Sequence, residues 1–293
     1  MCSSWKPTTL VLSSAGKKGF VIVGAISALK KAGYLDNIKH IIACSAGSMI
    51  AGGLALNYEV EEMVDIMMNM NLKDWNKKVD PTGGIFHAAE LHERVNRQSG
   101  DVTLKEILEK SGIRLTFATI NLTTATTEYI DTRTHPDVKL SDAILMSSSV
   151  PFVFPCIEYG GCFYCDGGMT DPFPIWKSED PEYTLGLHMD NNSLKNKVKE
   201  GKPAISKGFY GYMDIATNLF LAVIEEYKCS RNYNKFLVFY LNTTTNAELV
   251  EQDPAMEVFM FHEGVRQGET SIRTLEEWNL MRFEDHLSCV LSC

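Results

Sequence analysis

Apolar positions along this chain fall into two kinds of run. Short aliphatic runs bounded by Gly, Pro, Ser or Asn predict buried strands at residues 8–13 (TTLVLS), 39–44 (KHIIAC), 184–188 and 236–241. Between them, apolar residues recur at helical spacing over 20–31, 46–56, 60–70, 89–98, 104–110, 140–148, 211–227 and 255–278. Gly33 follows the first of these helices as its C-cap. Residues 115–122 and 126–131 read as strands paired across a Thr-rich turn, and 153–159 and 162–165 as a second pair across Gly160-Gly161. A loop with Pro81 and Gly83-Gly84, and the polar, basic stretch 191–202 (NNSLKNKVKEGK), break the periodicity. Strands alternating with helices, with no repeat and no interdomain linker, predict a single domain over 1–293. Its expected fold class is α/β, a three-layer sandwich around a mostly parallel central sheet, with a mainly helical part from 205 to 293.

One stretch obeys neither pattern. The eighteen residues from Ile41 to Tyr58 (IIACSAGSMIAGGLALNY) carry no charge, which approaches the length of a membrane-spanning helix. Three Gly, two Ser and an Asn lie inside it, and it opens as a β-rich run. A strand, a tight turn on small residues and a helix account for it better. That places Ser45 at the apex of the turn, with Ala43 and Gly47 two residues to either side. A nucleophile elbow is built this way, because bulky residues at those two positions would collide. The same sequence also suits an ordinary serine N-cap; the stretch alone leaves both readings open.

Two further segments carry candidate chemistry. Ser14-Ala15-Gly16-Lys17-Lys18-Gly19 lies between the first strand and the first helix. It lacks the spacing of a Walker A loop and the first glycine of a dinucleotide-binding loop. Its glycines still allow backbone N–H groups to turn toward an anion, including an oxyanion. Cys165-Asp166-Gly167-Gly168 closes a strand, and Asp-Gly is equally a common turn pair. Met49, Met63, Met67 and Phe152 are candidate lining for an apolar channel, although core packing is the commoner use of each.

Composition narrows the classes. With 45% hydrophobic and 22% charged residues the chain has ample material for a core. A formal net charge of -9 disfavours nucleic acid as a partner, since phosphate binding needs a basic footprint. The N-terminus has no basic segment followed by a long apolar one, so a cytoplasmic protein without signal peptide or membrane-spanning helix is expected. The eight cysteines, expected reduced, show no paired zinc-site spacing, and Cys162 and Cys165 form a lone CxxC. No metal site and no cofactor are expected.

Taken together, residues 10–30 (LVLSSAGKKGFVIVGAISALK), the elbow ACSAGS and residues 142–175 closely resemble the patatin-like phospholipases. The resemblance covers most of 8–175 and, more loosely, 205–275. It implies a serine hydrolase acting on carboxylic ester bonds of lipids, of phospholipase A or lysophospholipase type, working through a Ser–Asp catalytic dyad. On these residues Ser45 is the nucleophile and Asp166 the general base. Gly16, Lys17, Lys18 and Gly19 form the oxyanion hole, and Ala43, Gly47, Gly167 and Gly168 complete the elbow and the DGG box. Ala43 stands where the family has glycine, and Ser14 and Ala15 replace glycines of the oxyanion loop. The implied partners are a lipid substrate and a membrane surface contacted peripherally. Two alternatives stand beside it: a Ser-His-Asp esterase using His188, or a lipid-binding module without turnover.

Overall fold

Residues 5–70, 88–190, 235–243 and 253–291 are described by the computed structural model. Strand β1 (Thr9–Leu12) leads through a 3-10 turn (Gly16–Lys18) into helix α1 (Gly19–Lys31), then to β2 (His40–Cys44) and α2 (Ala46–Ala55). Helices α3 (Val60–Asn69), α4 (Ala88–Ser99) and α5 (Leu104–Ser111) precede the hairpin β3 (Arg114–Asn121) and β4 (Thr126–Asp131). Then come α6 (Leu140–Ser148), the short hairpin β5 (Ile157–Tyr159) and β6 (Cys162–Asp166), and β7 (Thr184–Met189). Strand β8 (Leu237–Leu241) and a long helix α7 (Pro254–Leu291) complete the described chain.

The eight strands form one sheet in the order β5-β6-β3-β2-β1-β7-β8, with β4 paired to β3 off this path. The four central pairings, β3-β2, β2-β1, β1-β7 and β7-β8, are parallel, whereas the hairpin strands run antiparallel. The result is a mixed α/β fold with a mostly parallel central sheet and helices packed on it. The central strands are buried on both faces, which is why they read as unbroken aliphatic runs. Leu10, Leu12, Ile41, Ala43, Leu115, Phe117, Leu185 and Leu187 point into the main core beneath α1, α2 and α6. Val11 and Ile42 point the other way, onto Phe173 and Ile175.

Helix α1 is almost wholly buried because α7 lies along its outer side. The two backbones touch: a Cβ on Gly24 would come within 2.1 Å of the Phe261 carbonyl, and one on Gly264 within 2.0 Å of the Val21 carbonyl. The small residues of GAISA and GVRQG therefore form a helix contact.

Most expected elements stand within a residue or two, and Gly33 caps α1 with φ +72°. Two differ. The expected strand over 153–159 shrinks to Ile157–Tyr159, because Pro151 and Pro155 lack ladder N–H groups and the chain turns instead, Val153 and Phe154 both donating to the Val150 carbonyl. The last helix continues to Leu291, well past the expected 278. The helix expected at 211–227 and the loops at 191–202 and around Pro81 lie outside the described residues.

Candidate active site

The geometry begins on β3. Ala118 pairs with Cys44 of β2 on one edge and with Tyr129 of β4 on the other. One residue on, Thr119 pairs with Glu128 of β4 and with Asp166 of β6. Strands β2 and β6 thus share one edge of β3, run in opposite directions and meet end to end. The residue after β2 is Ser45; the last residue of β6 is Asp166. Two segments 121 positions apart are in this way brought into contact by backbone pairing alone.

Ser45 has φ 55° and ψ −124°, a conformation that a side chain rarely adopts. Such strain costs on the order of 1–3 kcal/mol and persists only where the surroundings enforce it. Here the surroundings are specific. The Ser45 N–H donates to Ser147 Oγ at 3.1 Å, Ser147 Oγ donates to the Ala118 carbonyl at 2.7 Å, and the Ser48 and Ser147 hydroxyls bond each other at 2.7 Å. Gly47 must lack a side chain, since a Cβ there would lie 2.7 Å from the Ser13 carbonyl and 2.8 Å from that of Leu12. Ala43, by contrast, is accommodated: its methyl faces the main core and is fully buried.

The Ser45 hydroxyl is not used as a helix cap. Ser45 stands at the N-cap position of α2, yet makes no side-chain cap bond. Its Oγ donates to Asp166 Oδ2 at 2.5 Å instead. The other carboxylate oxygen, Oδ1, accepts the Gly168 N–H at 2.7 Å, so the Asp-Gly turn is present as well. The Asp166 backbone N–H is held by the Ser149 carbonyl at 2.9 Å. Gly167 lies directly on β3, where a Cβ would come within 2.3 Å of the Ala118 carbonyl.

Both side chains are buried. Burial raises the Asp166 carboxyl from its ordinary 3.8 to about 6, against the opposing pull of the hydrogen bonds from Ser45 and Gly168. At neutral pH the group is therefore still mostly ionised, and close enough to neutrality to accept a proton from a neighbour. It is a buried carboxylate held against a hydroxyl.

The turn at Gly16–Lys18 flanks the pair. A Cβ on Gly19 would lie 3.7 Å from that of Ala46, the residue after Ser45, and one on Gly168 would lie 3.3 Å from Ser14 Oγ. Gly16 has φ +52°, and the Gly19 N–H bonds back to the Gly16 and Lys17 carbonyls. Lys18 is buried and Lys17 half-buried. Within the turn the Lys18 N–H is bonded to the Ala15 carbonyl at 3.0 Å, and at the start of α2 the Ser48 N–H is bonded to the Ser45 carbonyl at 2.8 Å.

His188 is elsewhere. It is buried on the opposite face of the sheet from α2, edge-on to Phe173 with ring centroids 4.6 Å apart, and burial lowers its pKa to about 4. Of the candidate lining residues, Met49, Met63 and Met67 border one apolar cleft beside α2, whereas Phe152 stands 59% exposed on the Pro151–Pro155 turn. Cys162 and Cys165, three apart on one strand, face opposite sides of the sheet, and among the described residues no cluster could hold a metal ion. The buried hydroxyls of Ser147 and Ser48 were not singled out in the sequence. The run Ser147-Ser148-Ser149 closing an apolar helix is the signal that marks the first of them.

Comparison with known proteins places the chain in a family. The family model described as patatin-like phospholipase matches residues 10–177. A probable lipid hydrolase of Invertebrate iridescent virus 6 is 29% identical over 201 residues, 64% of this chain and 67% of the relative. An uncharacterized protein of Acanthamoeba polyphaga mimivirus is 27% identical over 278 residues, covering 88% and 91%. Among solved structures, VipD of Legionella pneumophila superposes with a TM-score of 0.56 at 17% identity, over 93% of this chain and 67% of that one. The ExoU–SpcU complex of Pseudomonas aeruginosa gives 0.52 at 16%, the match spanning 93% of this chain and 53% of its counterpart.

Proposed function

The chain belongs to the patatin-like phospholipase family, and from that premise we propose that it is a lipid acyl hydrolase of phospholipase A or lysophospholipase type, formed by one domain and working through Ser45 and Asp166. The observation that carries this reading is the 2.5 Å hydrogen bond from the Ser45 hydroxyl to a buried carboxylate.

The chemistry follows from the groups present. Asp166 takes the Ser45 proton as Oγ attacks the ester carbonyl. Negative charge then develops on the carbonyl oxygen beside the loop of Gly16, Lys17, Lys18 and Gly19 and the start of α2; the Lys18 and Gly19 N–H groups are bonded within the turn, so donation falls to the first residues of the loop and to the N-terminal end of α2. Collapse breaks the ester bond; protonated Asp166 returns its proton to the leaving alcohol, and the acyl group stays on Ser45. Water, deprotonated by Asp166, attacks the acyl-enzyme and frees the fatty acid. No ion is needed at any step.

Contact with a lipid surface is peripheral in this reading: among the described residues no helix is long and apolar enough to cross a membrane. Phe152 supports such contact. It is exposed, held at φ 68°, and lies three residues beyond Ser149, whose carbonyl anchors Asp166.

The test is fatty-acid release from mixed phospholipid vesicles by the wild-type protein beside folded Ser45→Ala and Asp166→Asn. Release by the wild type alone is expected. Equal release by all three would remove the catalytic assignment.

A further inference from the structure

Two cysteines beside the catalytic carboxylate lie across from each other. In the hairpin β5–β6, Ile157 pairs with Tyr164, Glu158 with Phe163 and Tyr159 with Cys162. One step further in the same register sets Cys156, the residue before β5, opposite Cys165, the residue before Asp166. Directly opposed residues share a face of the sheet. Ile157 and Tyr164 face the main core, so Cys156 and Cys165 face the other side together. The CxxC spacing of Cys162 and Cys165 therefore misleads: Cys162 shares the face of Tyr164, and the neighbour of Cys165 comes from the adjoining segment.

The hydrogen bonds of β6 fix the kind of pair. The Phe163 carbonyl accepts the Leu122 N–H, just past β3, at 2.7 Å, and the Asp166 N–H leaves for the Ser149 carbonyl at 2.9 Å. Backbone groups alternate edges along a strand, so those of Phe163 and Cys165 point to β3 and those of Tyr164 and Asp166 point away from it. Cys156 and Cys165 thus stand at a non-hydrogen-bonded position, where Cα atoms are about 4.5 Å apart and side chains are closest. That lies within the roughly 4.4–6.8 Å that a disulfide spans. The electrostatics agree: burial, then Asp166, then Cys156 push the Cys165 thiol up to about 12. Both residues are thiols in this structure, Cys165 buried and Cys156 half-buried.

We propose that Cys156 and Cys165 form a redox pair, closed to a disulfide by hydrogen peroxide and reopened by a thiol, that controls Asp166. Its chemistry rests on the strand register and its consequence on the hydrolase reading above. The Cys156 thiolate attacks one peroxide oxygen, which leaves a sulfenic acid and water. The Cys165 thiol then attacks that sulfur, the S–S bond forms, and its proton departs with the hydroxyl as a second water. Two thiols lose two electrons and two protons, and these reduce the peroxide. A thiol as hard to ionise as Cys165 is a slow nucleophile toward solutes; its place opposite Cys156 makes the second step intramolecular.

Disulfides settle most often at Cα separations of about 5.5–6 Å, so closing this one spreads the pair by roughly 1 Å. One peptide bond joins Cys165 to Asp166. The turn that leads into Cys156 starts after Ser149, whose carbonyl holds the Asp166 N–H. Both ends of the bridge therefore bear on the carboxylate, and a displacement near 1 Å costs on the order of 10²-fold in rate.

The experiment oxidises the whole purified chain with hydrogen peroxide, then reduces it with dithiothreitol. It follows hydrolysis of p-nitrophenyl butanoate beside peptide mapping by mass spectrometry. The oxidised wild type is expected to carry a Cys156–Cys165 bridge and to lose at least about tenfold in kcat, restored by dithiothreitol. Cys156→Ser is expected to keep the basal rate and to lose both the bridge and the reversible inhibition, whereas Cys162→Ser keeps both. A wild type in which no bridge maps to these two residues, or whose bridge forms with kcat unmoved, would overturn the proposal and leave the hydrolase reading intact. Reversible inhibition that persists in Cys156→Ser would overturn it too, since another cysteine then carries the effect. A mapped bridge in a chain that hydrolyses nothing even when reduced would overturn the hydrolase reading and keep the redox pair.

Discussion

Two buried aspartates are held against the same strand, and their surroundings differ. Asp131 on β4 pairs with Thr116 of β3, and Asp166 on β6 pairs with Thr119. Around Asp131, cost and compensation are matched. Burial raises its pKa, but hydrogen bonds from Arg114, Thr116 and the Arg133 N–H outweigh it and the carboxyl is held below its ordinary value. Arg114 and Arg133 also reach Glu179 there, and His40, its pKa lowered to about 4 by burial, bonds Thr116. Asp166 is equally buried, yet a hydroxyl and one backbone N–H are its side chain's partners. A carboxylate kept this way is expensive to the fold. The strained φ of Ser45 adds to the same local cost. The contrast separates a carboxylate matched by cations and hydroxyls from one that has a single hydroxyl and a single backbone N–H.

The sharpest way to break the comparison is the same substitution at both positions. Asp166→Asn is expected to reduce ester hydrolysis by at least about 10³-fold, as is Ser45→Ala, because residues acting as one unit fail together. Asp131→Asn is expected to keep the chemistry and to destabilise the fold by about 3 kcal/mol, since it leaves Arg114 facing a neutral partner. Unfolding in urea alongside the hydrolysis assay reads both. A destabilising Asp166→Asn with an innocuous Asp131→Asn would reverse the account.

Next in size is Ser147→Ala, which takes from the Ser45 N–H its acceptor and from the Ala118 carbonyl its hydroxyl donor. About 1–3 kcal/mol of support for the elbow is lost with them. A drop in kcat of roughly tenfold to a hundredfold, with KM little changed, is expected from steady-state kinetics. The pH profile sharpens the picture further. With Asp166 raised to about 6, kcat/KM is expected to rise as pH increases through that value and then to plateau. An acidic limb near 4 would mean that the base is not desolvated. Smallest of all, His188→Ala is expected to leave most hydrolysis in place, as His188 faces Phe173 and not α2.

The elbow was legible because its parts are local: a β-rich run, a serine, small neighbours and a helix lie within a dozen residues. Phe20 to Lys31 and the hairpin around Thr123 were legible for the same reason. The role of Asp166 was not. Read by itself, Asp-Gly-Gly is a turn, and the structure does contain that turn; what makes it more is the head-on meeting of β2 and β6, a pairing no local pattern encodes. It entered through resemblance to a family. Ser147 stayed hidden because a serine closing a helix has many ordinary uses, and its bond to Ser45 spans 102 positions. The expected strand at 153–159 was too long at its start, because the Gly160-Gly161 turn marks only where the pair closes, while Pro155 cannot donate to a ladder and pairing begins at Ile157.

The most direct test of the central claim is the difference in unfolding free energy between Asp166→Asn and the wild type, measured from pH 4 to pH 8. The folded-state value of about 6 lies above the ordinary 3.8, so burial costs nothing extra below about pH 4, and stability is lost as pH rises through 6. The asparagine variant escapes that loss. It is expected to be inactive and more stable than the wild type by about 3 kcal/mol at pH 8, the difference shrinking toward zero near pH 4. A difference that is independent of pH, or a variant less stable at pH 8, would contradict the claim that this fold holds an only partly compensated carboxylate against Ser45.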